Sequence, residues 1–224
     1  MNKSIGLRRE DKNRWEIRVP VIPDAVKEIN QKYGIKTIVQ PFPRRAYSHE
    51  EYLESGAEIN EDLSNCNTIF AVKEIPIPLL MENKTYLFFS HTIKGQKYNM
   101  PLLKRLMELK VNLIDYECIK DDSGRRIVFF GRFAGLAGMI DALHGYGKRL
   151  QSYGKETIFL KVKPAFEYKD LEEAKSAIKE IGDELKEKGF DCCDIPNVFA
   201  FAGYGNVSKG AQEIFDLLPY KSIT

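Results

Sequence analysis

The feature that most constrains the fold is the alternation of short β-branched or apolar runs with helical patterns from the first residues onward. Strands are predicted at Ser4–Arg8, Ile35–Val39, Thr68–Val72, Thr85–Phe89 and Val111–Ile114. Helices are predicted at Asp24–Tyr33 before Gly34, at Ser48–Ser55 from a capping box with Glu51, and at Leu102–Leu109. Strands separated by helices of this length favour βαβ units, so we expect an α/β fold with a parallel sheet.

The second half of the chain has a different pattern. A turn at Asp121–Gly124 precedes a predicted strand at Ile127–Phe130, and the pattern then becomes mainly helical. Helices are predicted at Phe133–Leu150, which is rich in glycine, and at Leu171–Lys188, which is charged and amphipathic. Glycine disfavours helix by about 1 kcal/mol per residue, so the glycines of the first of these helices indicate close packing against another element.

Composition excludes several classes of protein. The chain has 224 residues, 43% of them hydrophobic and 29% charged, and its net charge is +2. This balance excludes disorder, no apolar segment is long enough for a membrane span, and no basic block indicates nucleic-acid binding. The four cysteines lack metal-site spacing, and the sequence MNKSIGLRRE lacks the pattern of a signal or transit peptide. We therefore expect a reduced, cytoplasmic location and no metal.

A glycine-rich junction near the end of the chain has the context of a nucleotide-binding turn. The apolar run Asn197–Ala202 is predicted to be a strand, and Ala211–Leu218 is predicted to be a helix. Between them, Gly203 would permit a tight turn, and Gly205 would let a pyrophosphate approach the helix N-terminus. Ser208 stands where the dinucleotide pattern has Gly or Ala. The alternative is a structural β–α turn without a ligand.

Residues suited to proton transfer follow the predicted strands. Lys73 and Glu74 come directly after Thr68–Val72, and His91 comes shortly after Thr85–Phe89. Parallel strands end at one edge of a sheet, where open α/β proteins bind ligands, so these side chains could meet there. Asp115 and Glu117, after Val111–Ile114, could join them. The simpler alternative is a solvated Lys-Glu loop and a packed or surface histidine.

Arg18 could bind a substrate carboxylate through both arms of its guanidinium group. The alternative, which the spacing favours, is an ion pair with Glu16 or Glu10. His49 and His144 are interpreted as structural.

Six segments, in order along residues 4–218, carry a resemblance to a known family. They are LRREDKNRWEIRVPVIP, VKEIP, TYLFFSHTIKGQKYNM, LIDYE, GRRIVFFGRFAGLAGMIDALHGYG and FAGYGNVSKGAQEIF. Together they resemble the lysine–2-oxoglutarate reductase region of the bifunctional aminoadipic semialdehyde synthases. More broadly, they are similar to the alanine dehydrogenase, transhydrogenase and saccharopine dehydrogenase superfamily.

The resemblance implies a division of the chain and a set of site residues. It implies a substrate domain at 1–132, connecting helices at 133–195, and the first βα unit of a Rossmann domain at 196–224. The implied acid/base pair is Lys73 and His91, with Glu74 and Glu117 modulating it. Arg18 and Arg126 are the implied substrate-binding residues. The implied cofactor-binding residues are Gly203, Gly205, Asn206, Val207 and Ser208.

The implied reaction joins L-lysine to 2-oxoglutarate and reduces the imine to saccharopine. Its amine addition and water loss need a proton donor and acceptor near neutral pH, and its carboxylates suit arginine. The expected cofactor is NADPH, with NADH also possible. The residue that distinguishes these two lies about 20 residues beyond the glycine turn, at or past Thr224. We therefore expect a fragment of a longer enzyme, or a split or degenerate relative.

Two other functions remain open from the sequence. One is a lysine-forming saccharopine dehydrogenase, or another amino-acid dehydrogenase of the superfamily. The other is a non-catalytic substrate-sensing or assembly domain. A homodimer is plausible, because the strand predicted at Asn197–Ala202 needs a partner strand from this chain or from a second copy.

Overall fold

A computed structural model describes residues 3–189 and 198–223. The chain divides into two compact units, Met1–Val128 and Phe129–Thr224.

The first unit is built on a six-stranded sheet in the order β3-β2-β1-β4-β5-β6, and every strand pair in it is parallel. The strands are β1 (Ser4–Leu7), β2 (Lys36–Val39), β3 (Glu58–Ile59), β4 (Thr68–Phe70), β5 (Thr85–Phe88) and β6 (Asn112–Asp115). The helices are α1 (Pro23–Tyr33), α2 (His49–Glu54) and α3 (Met100–Glu108). This confirms the predicted parallel α/β fold, to which the structure adds the two-residue strand β3. The strand order reverses direction between β1 and β4, which makes that point the topological switch of the sheet.

Local sequence explains where the helices of this unit begin and end. Helix α1 has proline in its first turn and ends at Gly34, whose φ of 62° closes the helix with a hydrogen bond to the carbonyl of Asn30. Helix α2 starts with the predicted capping box, in which Ser48 and Glu51 each accept a hydrogen bond from the other's backbone N–H.

Two buried clusters stabilise the sheet. One gathers Leu7, Val26, Val39 and Tyr52 around β1 and β2, and the other includes Ile69, Tyr86, Phe88, Leu102 and Leu106. Each fully buried apolar side chain of this size contributes about 1.5–3 kcal/mol.

The second unit is helical in its described part. It contains α4 (Gly131–Ser152), α5 (Leu171–Lys188) and α6 (Asn206–Phe215), with short 3-10 helices at Ile158–Lys161 and Ala165–Glu167. Its core joins the three helices through Ile140, Leu143, Ile178, Ile181 and Ile214.

Glycines allow α4 and α6 to cross closely, as their number in α4 indicated. A Cβ atom on Gly135 would lie 1.9 Å from the carbonyl oxygen of Val207, and one on Gly210 would lie 2.1 Å from that of Arg132. Gly138 faces open space instead.

Two predicted strands are absent from the structure. Residues 127–130 form no strand, and Ile127, Phe129 and Phe130 are each at least 40% exposed, so their β-propensity is not supported by burial. Asn197 lies outside the described residues, and 198–202 are irregular. No strand among the described residues pairs with them. Phe199 and Phe201 instead pack on Phe215 of α6, with ring centroids 4.9 and 5.4 Å away. Pairing with a second copy stays a prediction.

Candidate active site at the carboxyl end of the sheet

The carboxyl ends of four strands place chemically capable side chains at one edge of the sheet. Glu10 follows β1, Lys73 and Glu74 follow β4, His91 follows β5 and Glu117 follows β6. Strands β1, β4, β5 and β6 are consecutive neighbours in the sheet. The site therefore begins at the topological switch point, where open α/β sheets bind their ligands.

Glu74 and His91 form the central pair. His91 Nδ1 lies 2.8 Å from Glu74 Oε1, and Lys12 Nζ lies 3.2 Å from the same oxygen. Burial acts to raise the pKa of Glu74, but its backbone N–H, His91 and Lys12 outweigh this and hold the pKa below its ordinary value. The carboxylate is thus ionised at neutral pH and holds the histidine ring.

The backbone of His91 has an unusual, left-handed conformation that neighbouring contacts hold in place. His91 has a φ of 52°, which places a non-glycine residue in the left-handed region. Asn99, which is buried, donates from Nδ2 to the carbonyl oxygens of Ser90 and His91, both at 3.2 Å. The imidazole also stacks on Phe89, with centroids 6.3 Å apart. Such strain persists only where surrounding contacts impose it, and it is common at functional sites.

Asp115 holds this segment from the neighbouring strand. Its carboxylate accepts hydrogen bonds from the Ser90 hydroxyl and, at 3.2 Å, from the Ser90 N–H. Its other oxygen accepts the N–H of Glu117 at 2.8 Å. One buried carboxylate therefore links the residue before His91 to the segment that carries Glu117.

Glu10 bridges the switch point. Its carboxylate accepts the N–H groups of Val72 at 2.7 Å and Lys73 at 3.0 Å. Burial raises the pKa of Glu10, although those two hydrogen bonds oppose the shift. The backbone leading into Lys73 is therefore tied to the end of β1.

Arg18 pairs with Glu16, as its simpler interpretation predicted. Arg18 Nε and Nη2 donate to the two carboxylate oxygens of Glu16 at 2.7 and 2.6 Å. Burial acts to raise the pKa of Glu16, but Arg18, with a smaller contribution from the charge of Lys73, lowers it overall. Lys73 is thus electrostatically coupled to this ion pair, and its Nζ has no hydrogen-bond or ion-pair partner among the described residues.

Arg126 is likewise paired. Its Nη1 lies 3.0 Å from Glu117 Oε1, and Nη2 donates to the carbonyl oxygen of Val128 at 3.3 Å. Within the described part of the chain, the second carboxylate oxygens of both Glu117 and Glu74 are buried without a hydrogen-bond partner. Buried acceptors of this kind favour a ligand with N–H or O–H donors.

The glycine turn lies in the second unit. Gly203 has a φ of 96°, and Gly205 is the N-cap of α6, whose first turn contains Asn206, Val207 and Ser208. The N-cap provides no side-chain hydrogen bond, and no heavy atom of the residues that the structure describes would lie within 4 Å of a Cβ atom at Gly203 or Gly205. An open helix N-terminus of this kind fits the phosphates of a dinucleotide. Ser208 Oγ already accepts one hydrogen bond, from Gln212 Nε2 at 2.8 Å.

The structure brings together Glu74 with His91 and Arg126 with Glu117. The described residues offer no hydrogen-bond or ion-pair partner to the side chain of Lys73, whose charge acts only to lower the pKa of Glu16. His49 accepts the Phe42 N–H at 2.8 Å, and His144 lies 2.6 Å from the Val162 carbonyl oxygen, so both have structural contacts.

Sequence reasoning missed the roles of Lys12 and Asn99 and treated Glu10 only as a partner for Arg18. The position of Glu10 shortly after β1, matching that of Lys73 after β4, was an available signal. No sequence pattern indicates that Lys12 reaches Glu74.

Comparisons with known proteins agree with this architecture. The family model described as "Alanine dehydrogenase/PNT, N-terminal domain" matches residues 6–137. A solved structure titled L-alanine dehydrogenase superposes with a TM-score of 0.53 at 18% identity, over 67% of this chain and 42% of that one.

Two curated relatives match almost the whole chain. Alpha-aminoadipic semialdehyde synthase, mitochondrial, of Rattus norvegicus is 45% identical over 96% of this chain. Saccharopine dehydrogenase [NAD(+), L-lysine-forming] of Candida glabrata is 29% identical over 94% of it. The chain spans 23% of the length of the first and 56% of the second. No helix among the described residues is long and apolar enough to cross a membrane.

Proposed function

Because the chain belongs to the alanine dehydrogenase/PNT N-terminal domain family, we propose that it is the substrate-binding part of a nicotinamide-dependent oxidoreductase. The proposed reaction condenses L-lysine with 2-oxoglutarate and reduces the imine to saccharopine. Its main structural support is the Glu74–His91 pair at the sheet edge, in which Glu74 follows Lys73 in the sequence. The 45% identity to a semialdehyde synthase, against 29% to a saccharopine dehydrogenase, favours this branch of the family.

In this proposal, Lys73 and His91 move the protons. The substrate amine must lose a proton before it attacks the keto carbon, and the resulting hydroxyl must gain one before water leaves. Glu74 orients the imidazole through its contact with His91 Nδ1, as a carboxylate hydrogen-bonded to histidine does. Lys73, unpaired among the described residues, is available to exchange a proton with the substrate.

The carboxylates of the substrates would bind to Arg18 and Arg126. Each arginine already contacts a glutamate, so a substrate carboxylate would share the guanidinium group with Glu16 or Glu117. The buried, unpartnered oxygens of Glu74 and Glu117 would accept hydrogen bonds from the substrate amine. This charge distribution suits a substrate that carries both amine and carboxylate groups.

The residues that would hold the cofactor are Gly203, Gly205, Asn206, Val207 and Ser208. Their backbone N–H groups at the start of α6 would bind its phosphates. When bound, the reduced nicotinamide supplies the hydride. NADPH is the proposed donor, with NADH as the alternative.

The division into a substrate domain at 1–132, connecting helices at 133–195 and a dinucleotide-binding start at 196–224 belongs to this proposal, as does a homodimer. A cytoplasmic location is also a prediction; the name of the rat relative includes "mitochondrial".

The test is an assay of the complete gene product with lysine, 2-oxoglutarate and NADPH or NADH, omitting one component at a time. We expect nicotinamide oxidation that requires both substrates, with saccharopine identified by mass spectrometry. Oxidation with another amino acid but not with lysine would contradict the proposed substrate. Substrate binding with no oxidation would support the non-catalytic alternative.

The second candidate function is the lysine-forming saccharopine dehydrogenase, supported by the 29% identical Candida glabrata relative. It uses the same proton-transfer groups in the reverse direction. Measuring the rate with saccharopine and NAD+ against the rate with lysine, 2-oxoglutarate and NADPH separates the two.

A further inference from the structure

Arg45 differs from the other arginines of the first unit. Several of those make ion pairs: Arg8 with Asp11, Arg9 with Glu61, Arg18 with Glu16, Arg105 with Glu108, Arg125 with Asp121 and Arg126 with Glu117. Arg45 is only 9% exposed, and both of its terminal nitrogens are buried without a hydrogen-bond partner among the described residues. A guanidinium group carries donors at both nitrogens, and burying them unpaired is costly.

The described neighbours of the Arg45 guanidinium group pack against it but accept no hydrogen bond from its terminal nitrogens. The guanidinium carbon lies 5.5 Å from the ring centroid of Tyr52 and 5.8 Å from that of Phe42. Burial lowers the pKa of Arg45, while Tyr52 and Glu10 act to raise it. Glu10 is therefore electrostatically close, yet its carboxylate already accepts two backbone N–H groups.

We propose that Arg45 binds a carboxylate group of the substrate, on the connection that follows the carboxyl end of β2. A carboxylate matches the planar donor arrangement of a guanidinium group and would satisfy both orphaned nitrogens at once. Arg18 and Arg126 already have glutamate partners, whereas the terminal donors of Arg45 are unused within residues 3–189 and 198–223. Arg45 lies on the irregular connection between β2 and α2, and a side-chain or loop rearrangement there would admit the ligand.

The identity of the ligand rests on the proposed function, which requires 2-oxoglutarate.

The kinetic test compares Arg45→Met with Arg44→Met. Arg44 is an exposed neighbour whose Nη1 donates to the carbonyl oxygen of Arg14, so it serves as the matched control. Arg45→Met should raise KM for 2-oxoglutarate about 10- to 100-fold, the effect of removing a charged hydrogen bond, with a smaller change in kcat. Arg45→Lys, which keeps the charge, should fold and give an intermediate KM. Arg44→Met should change KM less than about twofold.

The analogue 2-oxopentanoate, in which a methyl group replaces the distal carboxylate, identifies which carboxylate Arg45 binds. A KM increase confined to 2-oxoglutarate assigns the distal carboxylate, and an equal increase with both compounds assigns the carboxylate next to the keto group. Either result supports the proposal. If Arg45→Met and Arg44→Met change KM equally, the proposal is overturned.

A binding measurement on the 224-residue chain separates this inference from the proposed function. Glutarate should shift the Arg45 Nε–Hε NMR resonance and leave that of Arg44 in place. The resonance is assigned by its loss in Arg45→Lys, so the test does not depend on Arg45→Met folding. An Arg45 resonance that glutarate does not move overturns the inference. If the wild-type enzyme shows no reaction with lysine but glutarate moves this resonance, the proposed function fails and the carboxylate site stands.

Discussion

The sheet edge in the first unit and the glycine turn in the second are organised in opposite ways. At the sheet edge, Glu10, Glu74 and Asp115 already accept hydrogen bonds, and the backbone of His91 is held in a strained conformation. At the turn, Gly203 and Gly205 face open space, and the first turn of α6 has no side-chain cap. The difference agrees with the two proposed roles, because proton-transfer groups must be positioned before the substrate arrives, whereas a phosphate-binding turn must leave its backbone N–H groups available.

The strongest test of this difference removes the two side chains that we propose to transfer protons. In the complete enzyme, Lys73→Met and His91→Gln should each lower kcat about 10²- to 10⁴-fold, the usual contribution of acid–base catalysis, with smaller changes in KM. Lys94→Met, at an exposed lysine near His91, is the matched control and should stay close to wild type. Near-normal turnover in both variants across the pH range would remove Lys73 and His91 from the mechanism.

The helix α6 that follows the glycine turn should depend for its stability on its close crossing with α4. Gly210→Ala would push a Cβ atom into the Arg132 carbonyl of α4, so we expect it to lower the free energy of unfolding by about 1–3 kcal/mol. Gly138→Ala, on the open side of α4, should be neutral or stabilising by up to about 1 kcal/mol. Urea denaturation of both variants measures this. Equal effects would show that α4 and α6 do not need this close crossing.

The contacts of Glu74 with His91 and Lys12 should also make the free energy of unfolding depend on pH. The pKa of Glu74 is lower in the folded state than in the unfolded chain, where it is about 4.3. The ionised carboxylate therefore stabilises the folded state fully above that unfolded value, and this stabilisation is lost as the pH falls through the lower folded value. Wild type should therefore lose more stability on acidification below about pH 5 than Glu74→Gln does. Glu54→Gln, at an exposed glutamate of α2, is the control. Parallel acid curves for wild type and Glu74→Gln would contradict the lowered pKa.

The smallest expected signal is nucleotide binding by the 224-residue chain itself. In our proposal the turn provides only the phosphate-binding element of a cofactor site, so titration with NADPH or NADH, followed by nicotinamide fluorescence, should show weak binding or none. Micromolar affinity would mean that the chain contributes more of the cofactor site than the turn. Gly205→Ala tests whether any binding observed uses the turn.

Much of the fold could be predicted because its signals are local. Gly34 ends α1, the Ser48–Glu51 capping box begins α2, and the amphipathic pattern of Leu171–Lys188 coincides with α5. The two failures were apolar runs, residues 127–130 and 198–202, because a strand needs a neighbour as well as a β-prone sequence. Sequence patterns indicate where a strand could form and do not identify its partner.

The sequence by itself determined that Lys73, Glu74, His91 and Glu117 follow strands of a parallel sheet and share an edge. Only the tertiary structure decided how the charges pair there: His91 with Glu74, Arg126 with Glu117, and Arg18 with Glu16 rather than with Glu10, the other partner that the sequence left open. It alone shows that the two terminal nitrogens of Arg45 are buried without an acceptor in the described part of the chain. The physical reason is that the positions of the strands and the alternation of their side chains depend on local pattern, whereas the pairing of charges depends on distances of a few ångströms between segments far apart in sequence.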